Sequence, residues 1–150
     1  MAMFSKELGI DLGTMFTRLA DSTQVLAQEP TIVAIEAIEQ KMVAVGQEAR
    51  DMYGRVPESI EVARPLKNGV IADYEITETL RPYLLSRASG SMRIFRPRVM
   101  ISVPNGVTSV ERRAVYEAVM EAGSREAFLI QQPLAAAIGI DLPINSPSGN

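Results

Sequence analysis

"GIDLGTMFTR", residues 9–18, decides how this chain is read. An apolar run ends on Asp11, the chain passes through Gly13 and Thr14, and strand-like sequence resumes at once. Two structures answer that pattern. One is a tight hairpin with an acid at its end. The other is a loop that wraps a phosphate and its metal ion. In the second, Gly13 lets backbone approach a ligand with no side chain in the way. Successive N–H groups around Thr14 then point at phosphate oxygens. Asp11 holds a water on Mg²⁺, an ion that keeps its waters and uses few carboxylates. The stretch alone leaves both readings open.

The flanking sequence is strand-like. Residues 7–12, 15–20 and 23–28 read as three short strands, with a turn at Asp21-Ser22. "TIVAIEAI" (31–38) and "KMVAVG" (41–46) suit strands, and "QEARDMY" (47–53) a short helix that ends before Gly54 and Pro57. "IEVARPLKNGVIADY" (60–74) reads as two short strands broken at Pro65 and at Asn68-Gly69. Then the texture changes. "ITETLRPYLLSRAS" (76–89) is helical in pattern, with Pro82 tolerable in a first turn capped by Thr79. "RVMISVP" (98–104) is a buried strand. "TSVERRAVYEAVMEAG" (108–123) is a helix with Thr108 and Glu111 as a capping box, Gly123 as its stop, and Val110, Ala114, Ala118 and Ala122 recurring every four residues. "EAFLIQQ" (126–132) is a strand, and Pro133 opens a small-residue helix over 133–140. Three strands, a small β-rich insert and then alternating helix and strand predict an α/β chain: an antiparallel meander extended by parallel crossovers.

Composition narrows the chemistry. The 150 residues are 47% hydrophobic and 22% charged, which suits a globular domain with a real core. There is no Cys and no His, which excludes disulfides, thiolate metal sites, Cys nucleophiles and His-based triads. The net charge of −3 provides no global basic field, so no nucleic acid partner is expected. No apolar run approaches the ~18 residues of a spanning helix. "MAMFSKELGI" lacks the features of a signal peptide, so a cytoplasmic protein is expected.

Two more stretches carry candidate chemistry. In "FLIQQPLAAAIG" (128–139) a strand ends in Gln131 and Gln132. An amide there can orient a water but cannot take its proton; the same residues equally suit a polar link above a close helix contact. "SRASGSMRIFRPR" (86–98) holds Arg87, Arg93, Arg96 and Arg98 without an acid, with Ile94 and Phe95 among them. Large apolar residues among cations suit a surface of anionic lipid. They equally suit the buried start of the next strand.

Together these stretches form a more specific pattern. "IDLGT", "EPTIVAIE", "AVGQEA", "GRVPESI", "RPLKNGVIADY", "RPRVMISVPNGVTSVERRAV", "FLIQQPLAAAIG" and "PSGN" follow in that order. The chain resembles the MreB family, bacterial actins that organise rod-shaped growth, over nearly its whole length. The resemblance implies the actin-like, RNase H-like ATPase fold, in which two similar halves close over ATP and Mg²⁺. Residues 1–30 and 66–145 then form the large subdomain of the first half, residues 31–65 the small inserted one, and residues 146–150 the tail leading to the second half.

On this resemblance "DLGT" is the first phosphate loop. Asp11 is its Mg²⁺-side carboxylate, acting through water, and Gly13, Thr14, Met15 and Phe16 lie against the phosphates. The family usually has a small residue and then Asn where this chain has Met15 and Phe16, so contact through that Asn side chain is replaced. The family usually has two glutamates before the proline, the second organising the attacking water. Gln131 and Gln132 stand here, so Gln132 could position water without acting as a base, and slower hydrolysis is implied. The loop "RIFRPR" corresponds to the family's hydrophobic membrane contact, with Ile94 and Phe95 as the pair and Arg93 and Arg96 beside them. The implied partners are other copies in a filament, inner-membrane lipids and membrane proteins of cell elongation. The implied location is the inner face of the cell membrane.

The family runs to about twice this length. The resemblance therefore places the second phosphate loop and much of the adenosine pocket outside this sequence. Weak nucleotide binding and no meaningful ATPase are expected of these residues alone. Two function classes stay open at this point: the first half of a nucleotide-dependent cytoskeletal protein, or a non-enzymatic membrane- or partner-binding module derived from it. A chaperone-type ATPase is disfavoured by "SVPNGVTSVERRAV", which looks like MreB.

Overall fold

The computed structural model describes residues 7–67, 70–71 and 96–146. Strands β1 (Glu7–Leu12), β2 (Phe16–Ala20) and β3 (Val25–Pro30) form an antiparallel meander. The turn between β2 and β3 is built by Asp21, whose Oδ1 accepts from the N–H groups of Thr23 and Gln24. This is the local bonding that favours Asp in turns.

Strands β4 (Val33–Glu36), β5 (Lys41–Val45) and β6 (Ile60–Ala63) form a second, three-stranded sheet ordered β5-β4-β6, with helix α1 (Gly46–Met52) packed on it. Ile32, Ala34, Ala44 and Ala49 make its small core. Two two-residue strands follow, β7 (Leu66–Lys67) paired with β8 (Val70–Ile71), so the stretch expected to hold two strands after residue 60 holds three. The helix expected over 76–89 lies outside the described residues.

The chain then returns to the first sheet through β9 (Arg98–Val103), helix α2 (Ser109–Glu121), β10 (Glu126–Gln131) and helix α3 (Gln132–Gly139). β9 pairs with β1 and β10 pairs with β9, both in parallel, giving a mixed sheet of order β10-β9-β1-β2-β3. The parallel register is marked by one row of opposite charges: Arg98 on β9 sits between Glu7 on β1 (3.3 Å) and Glu126 on β10 (2.8 Å). Such directly opposed pairs favour one alignment over its neighbours.

Alternation along the strands sorts the faces. Leu8, Ile10 and Leu12 of β1 and Val99, Ile101 and Val103 of β9 are buried, while Gly9, Asp11, Met100 and Ser102 point to the other face. Helix α2 covers the apolar face with Val115, Ala118, Val119 and Ala122. That stripe corrects the expected one, because Val110 is 75% exposed and Val115 and Val119 take the buried positions. The cause is helical pitch. Four-residue steps overshoot a turn by roughly 40° each, so three steps rotate Val110 off the face that holds Ala122.

The capping box of α2 forms as the sequence implies. The Thr108 hydroxyl accepts from the Glu111 N–H (3.2 Å), and the Glu111 carboxylate accepts from the Thr108 N–H (2.7 Å). Gly123 closes the helix with φ of 105°. Thr108→Ala is expected to cost about 1 kcal/mol, read as a melting temperature lower by about 2–4 °C in a domain of this size.

Candidate functional site

The turn between β1 and β2 is a hairpin, closed by a hydrogen bond from the Gly13 N–H to the Phe16 carbonyl (3.1 Å). Gly13 is required by that turn itself. A Cβ there would stand 2.7 Å from the Phe16 oxygen, which is closer than carbon and oxygen tolerate. The side chains of Met15 and Phe16 project outward and are exposed.

Strand pairing places Asp11 opposite Arg18 on β2 and opposite Ser102 on β9. Arg18 Nη1 reaches one carboxylate oxygen (3.1 Å) and Ser102 Oγ donates to the other (2.9 Å). Arg18 is itself steered by Gln28, whose Oε1 accepts from its Nε (2.8 Å). Asp11 is therefore a fixed anion with a guanidinium against it. Each oxygen still has acceptor capacity after one bond.

The backbone of the turn is held from outside by donors that engage its carbonyls. Gln132 Nε2 reaches the Leu12 oxygen at the long limit of a hydrogen bond (3.5 Å). Thr31 Oγ1 donates to the Gly13 oxygen (2.7 Å), and the Thr31 N–H donates to the Met15 oxygen (2.9 Å). Arg64 Nη1 reaches the Thr14 oxygen (3.3 Å). With Gly13 N–H on Phe16, five consecutive carbonyls from Leu12 to Phe16 are engaged by the protein. The buried Thr17 and Thr31 hydroxyls also bond each other (2.9 Å), which fixes the donor that serves Gly13.

A carbonyl that faces a protein donor does not face an approaching anion. Engagement of these carbonyls lowers the negative charge that the turn offers to an anion, which suits a phosphate cradle. A Mg²⁺ ion carried with phosphates needs few protein carboxylates, and Asp11 is the carboxylate beside this turn. Among the described residues no cluster of three or more acidic side chains could hold a metal. Asp11 could accept from metal-bound waters through its remaining lone pairs.

The structure brings Asp11, Gly13, Thr14, Met15, Phe16 and Gln132 to one place. Sequence reasoning did not single out Arg18, Thr31, Arg64 or Ser102. Arg18 was findable, since a hairpin closed at Gly13 puts residue 18 opposite residue 11. Thr31, Arg64 and Ser102 act across 18, 50 and 91 positions and carry no local signal. Arg96 is exposed, with φ of 39°. Arg93, Ile94 and Phe95 lie outside the described residues.

Comparison with known proteins bears on the same residues. The family model described as MreB/Mbl protein matches residues 5–150. The chain is 44% identical to the cell shape-determining protein MreB of Haemophilus influenzae, covering 99% of this chain and 44% of that protein. It is 42% identical to the cell shape-determining protein Mbl of Bacillus cereus, over 99% of this chain and 45% of that protein. The chain thus spans a little under half the length of these relatives. Among solved structures, MreB5 of Spiroplasma citri bound to ADP superposes with a TM-score of 0.82 at 30% identity, over 98% of this chain and 44% of that one. A MamK double helical filament superposes at 0.74 with 20% identity, over 91% of this chain and 43% of that one, which bears on the fold alone. The mixed sheet and its helices are those of the actin-like fold, and the match over residues 5–150 establishes that the chain belongs to the MreB/Mbl family.

Proposed function

We propose that this chain is the first nucleotide-cradling half of an ATP-binding, MreB-type filament protein that organises cell shape at the membrane. The observation that carries the reading is the turn at residues 12–16, whose carbonyls are all engaged by donors from the chain itself. The S. citri relative is bound to ADP in one structure and to AMPPNP in another, which supports a nucleotide as the ligand. Family relatives described as cell shape-determining proteins support the filament reading over a non-enzymatic module.

In this reading the turn from Gly13 to Phe16 lies against phosphate oxygens, with the Gly13 N–H itself kept by the Phe16 carbonyl, and Asp11 orders water on the ion side. Mg²⁺, when bound with the nucleotide, supplies charge neutralisation of the phosphates. Gln132 orients the attacking water through its amide and leaves the proton to other groups. Residues 1–30 and 66–145 act as the large subdomain and 31–65 as the small one. The division is supported by a five-stranded sheet drawn from the former and a three-stranded sheet drawn from the latter.

A single wall of a two-walled cleft gives few contacts, so Mg·ATP is expected to bind this chain with a dissociation constant on the order of 1 mM. An NMR titration reads it directly. Shifts clustered at residues 11–16, lost in Asp11→Ala, are the expected result. No shift at several millimolar ATP would remove the preformed cradle.

The membrane part of the reading rests on "RIFRPR" in the sequence. Ile94→Ser/Phe95→Ser is expected to reduce co-sedimentation with anionic liposomes about tenfold. An unchanged bound fraction would rule the loop out as the anchor.

A further inference from the structure

We propose that the groove between α1 and β6 docks an extended acidic peptide of a partner protein, which adds to β6 as a fourth strand. The inference does not depend on nucleotide binding.

β6 is an edge. The sheet order is β5-β4-β6, and among the described residues β4 is its one strand neighbour. An edge strand presents unpaired N–H and C=O groups to any chain laid beside it. Next to this edge, the end of α1 and the turn after it enclose a cavity of about 500 Å³. Ile32, Val62 and Ala63 contribute apolar atoms to its lining. A strand edge with a partly apolar cavity beside a helix is a shape that accepts a peptide by strand addition: main-chain bonds hold it, and alternate side chains are read by the pocket.

Charge selects the peptide. Arg50, Arg55 and Arg64 line the cavity and are exposed, in a chain whose net charge is −3. None of the three forms an ion pair among the described residues, and Arg64 also donates from Nη1 to the Thr14 carbonyl (3.3 Å). Asp51 also lines the cavity and accepts from Gln47 Nε2 (2.7 Å), so three guanidiniums stand against one carboxylate. The guanidiniums come from three different segments: the helix, the turn after it and the residue after β6. They suit carboxylates spread along a chain better than one compact polyanion. The apolar atoms of Ile32 and Val62 and the exposed Tyr53 offer nothing to a bare phosphate, and they suit side chains of a peptide.

The probe is a fluorescein-labelled peptide of alternating valine and glutamate, titrated into the whole chain and read by polarisation. Binding is expected, weakened at least about tenfold by Arg50→Glu/Arg55→Glu. The charge-matched pair Arg112→Glu/Arg113→Glu on α2 is expected to leave it unchanged. Among the described residues both of these arginines are exposed and without an ion pair, so the fold should persist, and circular dichroism checks this. A second series N-methylates the peptide one backbone nitrogen at a time. Strand addition predicts loss at every other position, because only alternate N–H groups face the edge. Three results would overturn the proposal: no binding at millimolar peptide, equal loss with the α2 pair, or N-methyl effects without alternation. Displacement by sodium triphosphate at lower concentration than by unlabelled peptide would also overturn it, and would mark a simple anion site.

Discussion

Gly13→Ala is expected to distort the turn at residues 12–16 and to abolish whatever nucleotide binding the chain has. The new Cβ would lie 2.7 Å from the Phe16 carbonyl oxygen, which is backbone and has no rotamer to yield. Relief requires opening the Gly13 N–H to Phe16 bond and shifting β1 against β2. An overpacked site of this kind costs about 1–3 kcal/mol. Urea denaturation should show the lower midpoint at unchanged slope, and the ATP-dependent shifts at residues 11–16 should vanish. Gly9→Ala is the matched control. Gly9 lies on the same strand, with nothing within 4 Å of an added Cβ, so its stability should change by no more than about 0.5 kcal/mol. Equal destabilisation by both substitutions would place the effect in the strand and remove the steric account of the turn.

Ile101→Ala is expected to produce the largest loss of stability. Ile101 is fully buried in β9, the strand flanked by β1 and β10, and belongs to the core cluster that α2 completes. Removing three carbons from such a position costs their transfer free energy plus the cavity left behind, about 3–4 kcal/mol. Against a total of about 5–15 kcal/mol, that is a large share of the stability. The site should suffer with the core, because the next residue, Ser102, donates to Asp11. A calorimetric scan reads the loss. A change below about 1 kcal/mol would mean that α2 closes over the gap, and that the packing between helix and sheet is looser than these positions imply.

Local features of the fold were legible in the sequence. The strand from Glu7 to Leu12 showed in its short apolar run, the start of α2 in its capping box, and its end in Gly123. The stripe of α2 was only half legible, because strict four-residue spacing is not the period of a helix. The opening stretch posed a choice between hairpin and phosphate loop. The structure makes it a hairpin whose carbonyls are held by the rest of the chain, so the two descriptions are compatible. What stayed hidden were the residues that hold it. Thr31 reads as part of a strand and Arg64 as a surface cation before a proline, and nothing within a few residues of either marks it as a partner of the turn.

The separations of those partners also set an order of events during synthesis. The turn is complete in sequence by residue 16, yet its donors arrive at Thr31, Arg64 and finally Gln132, and Asp11 waits for Ser102. Closing contacts across so much chain is slow compared with forming a local hairpin. A nascent chain leaving the ribosome therefore carries the hairpin long before it carries the cradle. The turn acquires its full set of carbonyl partners only once β10 and α3 have emerged and docked, so protection of its backbone would time that docking.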